Sequence, residues 1–237
     1  MNEIILYFTK KYDGDWEAIY KAINDKESVE LKDIQSVFDD VRTNYLSIID
    51  RDYPNKFKDI FMPPFSLFHA GEKELLENKI IGLQGYGNEH EIKFVEMLIR
   101  HNFTFIVINN IKNQKLISLL KAKQTPLILV NLNGINKLAG DLRIDNQKNI
   151  LLVSERPDNI IVKDQKIQRI ERIIIALADL VIVFARDCNS SNSLVETASL
   201  ENKKIGFIKP IDKSVDYPSH SVNYKVLEKI DDIVNLN

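Results

Sequence analysis

Two runs in this chain, Phe103-Thr104-Phe105-Ile106-Val107-Ile108 and Leu180-Val181-Ile182-Val183-Phe184, are apolar almost without a break. A strand with one wet face alternates apolar and polar residues. A run with no polar face has to be covered on both sides, as parallel strands are in α/β domains. Shorter runs of the same kind fall at 79–83, 126–130, 150–153 and 204–208. Between them the apolar residues change to helical spacing. Residues 88–100 carry Ile92, Val95, Leu98 and Ile99 on one face, and 166–178 carry Ile167, Ile170, Ile173, Ile174 and Leu177. Helices are also predicted at 112–122, 190–202 and 223–235, the last through Val226, Leu227, Ile230, Ile233 and Val234. Strands alternating with helices predict a Rossmann-like, doubly wound α/β domain with a mostly parallel sheet. Ligands of such sheets bind at the carboxyl ends of the strands, here 82–87, 109–112, 131–134, 154–157 and 185–193.

The first 42 residues follow a different pattern. Ile4, Ile5 and Phe8 line one short helix. Asp13 or Asp15 caps a second, with Trp16, Ile19, Tyr20 and Ile23 inside. Leu31, Ile34, Val37, Phe38 and Val41 mark a third. The expected organisation is a small helical domain over 1–42, an extended arm over 43–78 and the α/β domain over 79–237. The arm is stiffened by Pro54, Pro63 and Pro64, which fix φ and bias the residues before them to extended backbone. Residues 44–49 suit a strand or a helix.

Composition narrows the function classes. The chain has 237 residues, 44% of them hydrophobic, with a formal net charge of −2. No global basic excess marks it for nucleic acid, so any such binding has to come from a local patch. The single Cys188 cannot form an internal disulfide, which fits a reducing cytoplasm. No apolar run approaches the roughly 20 residues of a membrane span, and no signal-peptide pattern opens the chain. His69, His90, His101 and His220 have no metal-ligand spacing, and Cys188 has no triad partners in the sequence, so no metal, cofactor or catalytic nucleophile is expected.

Three groups of residues remain as candidates. Gly82, Gly85 and Gly87 follow the first core strand and suit either a phosphate cradle or a plain tight turn; they lack the spacing of a dinucleotide fingerprint. Tyr86 stands among them as the nearest aromatic for base stacking. Arg156, Arg169, Arg172 and Arg186 make either a modest phosphate track or a solvated face paired with Glu155, Glu171 and Asp187. Ser190, Ser191 and Ser193 open a helix, where they cap it or offer hydroxyl and N–H groups to a phosphate.

Two segments, Tyr53-Pro54 through Pro63-Pro64 to Gly71 and Ser154-Glu155 through Arg172 to Ser191-Asn192-Ser193-Leu194, together resemble the DNA-processing protein A family (DprA, also called Smf). Tyr53, Pro54, Phe57, Ile60, Pro63, Pro64, Leu67 and Gly71 follow in register that family's Y-P-x-x-L-x-x-I-x-x-P-P-x-x-L-x-x-x-G run. Further on, Ser154-Glu155, then Ile170-Glu171-Arg172-Ile173-Ile174-Ile175-Ala176-Leu177-Ala178, then Ser191-Asn192-Ser193-Leu194 follow the order of its S-E, R-N-R-I-I-A-G-L-S and S-G-S-L signatures. The resemblance covers residues 43 to 210. It implies a non-enzymatic protein that holds single-stranded DNA, helps load the RecA recombinase and forms a homodimer. Carried over residue by residue, the DNA or phosphate contacts are Gly82, Gln84, Gly85, Tyr86, Arg156, Arg169, Arg172, Ser191 and Ser193. Phe57 stands for the leucine of the first run, the second signature is matched only in part, and the family's S-G-x-A-x-G-I-D stretch is barely visible near Asn109-Asn110-Ile111-Lys112, so that departures fall on functional positions. The family's G-S-R after the first strand reads Gly82-Leu83-Gln84, its first R-N-R arginine is Ile170, and the glycine of S-G-S is Asn192. Two other readings stay open: an N-glycosidase of the lysine-decarboxylase-like type using Glu196 and Arg172, and a scaffold that has kept the fold and lost the pocket.

Overall fold

The computed structural model describes residues 2–85, 89–158, 160–161, 167–184, 193–208 and 223–234, with 167–169 and 234 described by backbone alone. In chain order the elements are α1 (Asn2–Lys11), α2 (Trp16–Asn24), α3 (Leu31–Asp40), β1 (Asn44–Ser47), β2 (Ser66–Gly71), β3 (Ile80–Gln84), α4 (Glu89–Leu98), β4 (Thr104–Ile108), α5 (Gln114–Ala122), β5 (Leu127–Val130), α6 (Asn136–Asp141), β6 (Ile150–Ser154), α7 (Ile167–Leu177), β7 (Leu180–Val183), α8 (Ser193–Leu200), β8 (Ile205–Ile208), β9 (Tyr224–Leu227) and α9 (Asp231–Val234). The fold is mixed α/β with mostly parallel strand pairing, as the apolar runs predict. None of the described helices is long and apolar enough to cross a membrane. Contacts divide the chain into two units: Met1–Lys73 with Asn131–Gln165, and Glu74–Val130 with Lys166–Asn237.

In the first unit the three N-terminal helices are joined by three strands, β1 pairing antiparallel with β2 and β2 with β6. The helices pack on the proline arm. Phe8, Ile19 and Ala22 form a buried cluster that Tyr7, Tyr12, Val29 and Phe65 close. Trp16 stacks on Tyr20 and Phe65, and its indole N–H donates to the Pro63 carbonyl at 2.8 Å. Asp15 caps α2 by accepting the Ala18 N–H at 3.1 Å. The Tyr-Pro/Pro-Pro segment is a packing device: Tyr53 is buried, its hydroxyl donates to the Pro64 carbonyl at 2.7 Å, and its ring lies on the buried Phe57. Gly71 ends β2 at φ +99°, and a Cβ there would stand 2.2 Å from the Ile150 carbonyl oxygen, so only glycine fits.

The second unit holds six parallel strands in the order β5-β4-β3-β7-β8-β9. Helix α7 packs on β3, β4 and β5, and its described residues from Ile170 to Leu177 are all buried. A helix apolar around most of its circumference is a core helix. The helix predicted over 223–235 is corrected here. Tyr224–Leu227 pairs with β8 instead, in the register Ile205↔Tyr224. Helix α9 begins only after the Asp232 carboxylate has accepted the N–H groups of Glu228 and Lys229 at 3.0 and 3.1 Å. Short apolar runs do not separate strand from helix by spacing, and the open edge of β8 selects the strand.

Candidate functional site

Strand order in the second unit reverses at β3. The chain leaves β3 for β4 and β5 on one side and returns to β7 on the other. At such a point the connections diverge and leave a crevice at the carboxyl ends, the usual ligand position of an open α/β sheet. The two strands that flank it end in register, Gln84 opposite Val183.

Gln84 is 9% exposed, and its side-chain amide donates to Glu171 Oε1 at 3.2 Å. Glu171, on α7, is 1% exposed. Burial pushes its carboxyl above the ordinary glutamate value. Hydrogen bonds from Ser193 and Gln84 and the charge of Lys112 oppose that shift, and the charge of Glu196 adds to it. Two buried acceptors in this cluster, Glu171 Oε2 and Gln84 Oε1, have no hydrogen-bond partner among the described residues. Arg172, the next residue on α7, is 6% exposed. Ser193 opens α8, and its carbonyl accepts the Thr197 hydroxyl at 2.8 Å. Gln84, Glu171 and Ser193 thus come together at the mouth of the crevice, with Lys112 and Glu196 acting on Glu171 through their charges.

Other sequence candidates have different work. Gly82 is buried in mid-strand, where a Cβ would lie 2.9 Å from Ile174 Cγ2 and 3.3 Å from the Ala178 methyl. It lets α7 approach the sheet and lies below the mouth. Gly85 has φ +128°, which needs glycine, and its N–H points inward to Asn113 Oδ1 at 3.1 Å. Asn113, wholly buried, in turn donates to the Ile108 carbonyl at 2.9 Å. That turn is closed by a side chain of the protein itself. Arg156 belongs to the first unit. Its guanidinium donates to the Asp13 carbonyl and its N–H to Ser154 Oγ at 2.9 Å, so it ties the end of β6 to the turn between α1 and α2. Glu196 is exposed on α8. Tyr86, Gly87, Arg186, Cys188, Ser190, Ser191, His220 and the side chain of Arg169 lie outside the described residues. Among the described residues no His, Cys, Asp and Glu cluster has the makings of a metal site.

Glu171 enters the sequence reading as an ion-pair partner and as one position of the segment that follows the R-N-R signature, with no site role of its own, and Lys112 and Asn113 enter as part of a strand end and a helix start. The signal for Glu171 is present. The pair Glu171-Arg172 interrupts an apolar stretch that runs from Ile170 through Ala178, and charged residues enter such a stretch rarely unless they have partners.

No protein-family model matches the chain, and no curated protein matches it. Among solved structures it is similar to DNA processing protein A (DprA) from Streptococcus pneumoniae, with a TM-score of 0.70 and 17% identity over 100% of this chain and 98% of that one. It is also similar to DNA processing protein A from Helicobacter pylori, a structure described for its unique single-stranded DNA binding mode. There the TM-score is 0.63 and the identity 17%, over 82% of this chain and 95% of that one. At that identity the likeness is one of architecture, and it spans both units: the chain has the fold of the DNA-processing protein A structures.

Proposed function

We propose that this protein is a DprA-like single-stranded DNA-binding protein and not an enzyme. The observation that carries the reading is the likeness to two DNA processing protein A structures, over 100% and 82% of this chain, the second of them described for single-strand binding. It is supported by a polar cluster at the switch point of the sheet, where ligands of this architecture sit. The proposed contacts are Gln84, Arg172 and Ser193, together with Tyr86, Arg169 and Ser191. Loading of a RecA-type recombinase and homodimer formation belong to the same proposal, as does a cytoplasmic location. The test is binding of fluorescent oligothymidine against an unlabelled duplex competitor at low salt. The single strand should bind and the duplex should displace it poorly. A protein that binds neither at low salt is the degenerate scaffold instead.

One observation favours a second reading. Glu171 is held toward its protonated form while Glu196 stands exposed nearby in charge terms. A buried carboxyl held toward its acid form suits the general acid of a glycosidic cleavage. An N-glycosidase would release free base from nucleoside monophosphates, and Glu196→Gln would abolish that release. No release by the parent protein rejects the reading.

A further inference from the structure

The chain as a whole is slightly acidic, yet its charges are unevenly distributed. From Met97 to Gly140 the sequence contains no aspartate or glutamate, while Arg100, Lys112, Lys115, Lys121, Lys123 and Lys137 fall within that stretch. In the second unit most of them lie on or beside α5. Lys112, Lys115 and Lys123 are exposed and Lys121 is half-buried. Among the described residues none of these four is in an ion pair. A basic helix of this kind is usually quietened by acids one turn away, and here the local sequence supplies none.

The helix runs between two places of interest. At its start Lys112 follows β4, and its charge acts on Glu171 in the carboxyl-edge cluster. At its end Lys123 and Gln124 line a cavity of about 370 Å³ with Lys79, His101, Asn102 and Phe103. That cavity lies at the amino ends of the strands, since Lys79 precedes β3, Phe103 precedes β4 and Pro126 precedes β5. No acid lines it. The C-terminal ends of α4 and α5 bring about half a negative charge each to this edge, which the full charges of Lys79 and Lys123 exceed. The Lys79 ammonium stands 5.7 Å from the centre of the Phe103 ring. Gln124 closes α5 at φ +53°, with its N–H on Lys121 and that of Thr125 on Leu120. Glycine is the cheaper residue at this position of a helix end, and glutamine puts a carboxamide in the cavity wall at that cost.

We propose that α5 and the cavity at its C-terminal end form a phosphate-backbone track for single-stranded DNA, continuing from the carboxyl-edge cluster. The proposal rests on the reading of the chain as a single-strand binder and places most of the phosphate neutralisation away from the arginines of α7. The nine residues of α5 span about 14 Å at 1.5 Å per residue, over which a stacked strand presents about four phosphates at 3.4 Å each. Lys115 and Lys121 lie within that span, and Lys112 and Lys123 just beyond its two ends.

The experiment compares salt dependence of oligothymidine binding for the parent, for Lys115→Gln/Lys121→Gln/Lys123→Gln, and for a control, Lys26→Gln/Lys32→Gln/Lys58→Gln, whose exposed lysines lie in the first unit. Each lost single-strand phosphate contact lowers the slope of log K against log salt by about 0.7. The α5 triple variant should therefore lose about 2 from the slope, and the control should keep the parent's. Circular dichroism confirms that both variants remain folded. An α5 variant with the parent's slope, or a control that loses as much, overturns the track while leaving single-strand binding intact. A parent that binds no oligothymidine overturns the functional reading itself, and the track with it.

Discussion

Glu171 is the residue on which the site turns. Its carboxyl is buried, bonded through one oxygen to Gln84, and shifted above its ordinary value of 4.5 mainly by burial. The unfolded chain releases this proton near the ordinary value, whereas the folded protein keeps it to higher pH. The folded state then binds more protons than the unfolded one, and stability falls as pH rises from the ordinary value through the raised one. Glu171→Gln removes that fall. Its urea midpoint should match the parent's in acid and exceed it increasingly above about pH 4.5; a gap that does not change with pH contradicts the assignment. The same carboxyl explains why restoring an arginine after β3 is not a simple gain. In Gln84→Arg the guanidinium pairs with Glu171, so little charge reaches a ligand. In Gln84→Arg/Glu171→Gln it remains available to a phosphate. Oligothymidine affinity should rise far more in the double variant than in either single one, with a coupling of about 1 kcal/mol or more for residues in direct contact. Strict additivity would place the DNA contact elsewhere.

At the level of elements, the proline arm organises the packing of the first unit and α7 that of the second. The arm's Tyr53 hydroxyl satisfies the Pro64 carbonyl in the core. Tyr53→Phe should lower the unfolding free energy by about 1–3 kcal/mol, the cost of a buried acceptor left unsatisfied. It should be read as a lower urea midpoint at unchanged denaturant slope. Gly82→Ala forces a methyl against Ile174 beneath α7 and should cost about 1–3 kcal/mol by overpacking; an alanine variant as stable as the parent would mean that α7 is not seated as described. These elements were unequally legible. The core strands announce themselves because a run such as Leu180-Val181-Ile182-Val183 has no polar face to turn to water. Strand β9 did not, because Tyr224–Leu227 has the same short apolar character inside a helix-spaced segment, and its partner strand decides the matter. At Gly85 the sequence leaves open a phosphate cradle or a plain tight turn, because glycine after a strand is common to both uses. The group that fills it, Asn113, lies 28 residues away, and no local pattern connects the two.

For the whole molecule, the architecture was legible from the alternation of apolar runs, and the resemblance to DNA-processing protein A from Tyr53, Pro54, Pro63 and Pro64 and the segment around Arg172. The site was legible only in part. Gln84 and Ser193 are brought together by Glu171, a residue that is distant from both in sequence. Gly82 is taken up by packing, and Arg156 by the turn at Asp13, because a residue's use depends on what the tertiary fold brings against it. The charge asymmetry of residues 97–140 is plain in the sequence, but the track proposed from it needs the course of α5 from the carboxyl edge to the amino-edge cavity. The most direct test of the account is the affinity for oligothymidine measured across salt concentrations at fixed pH. With about four phosphates neutralised, log K should fall against log salt with a slope on the order of −3. A slope near zero, or no binding at low salt, would contradict the claim that this fold holds a single strand through its phosphates.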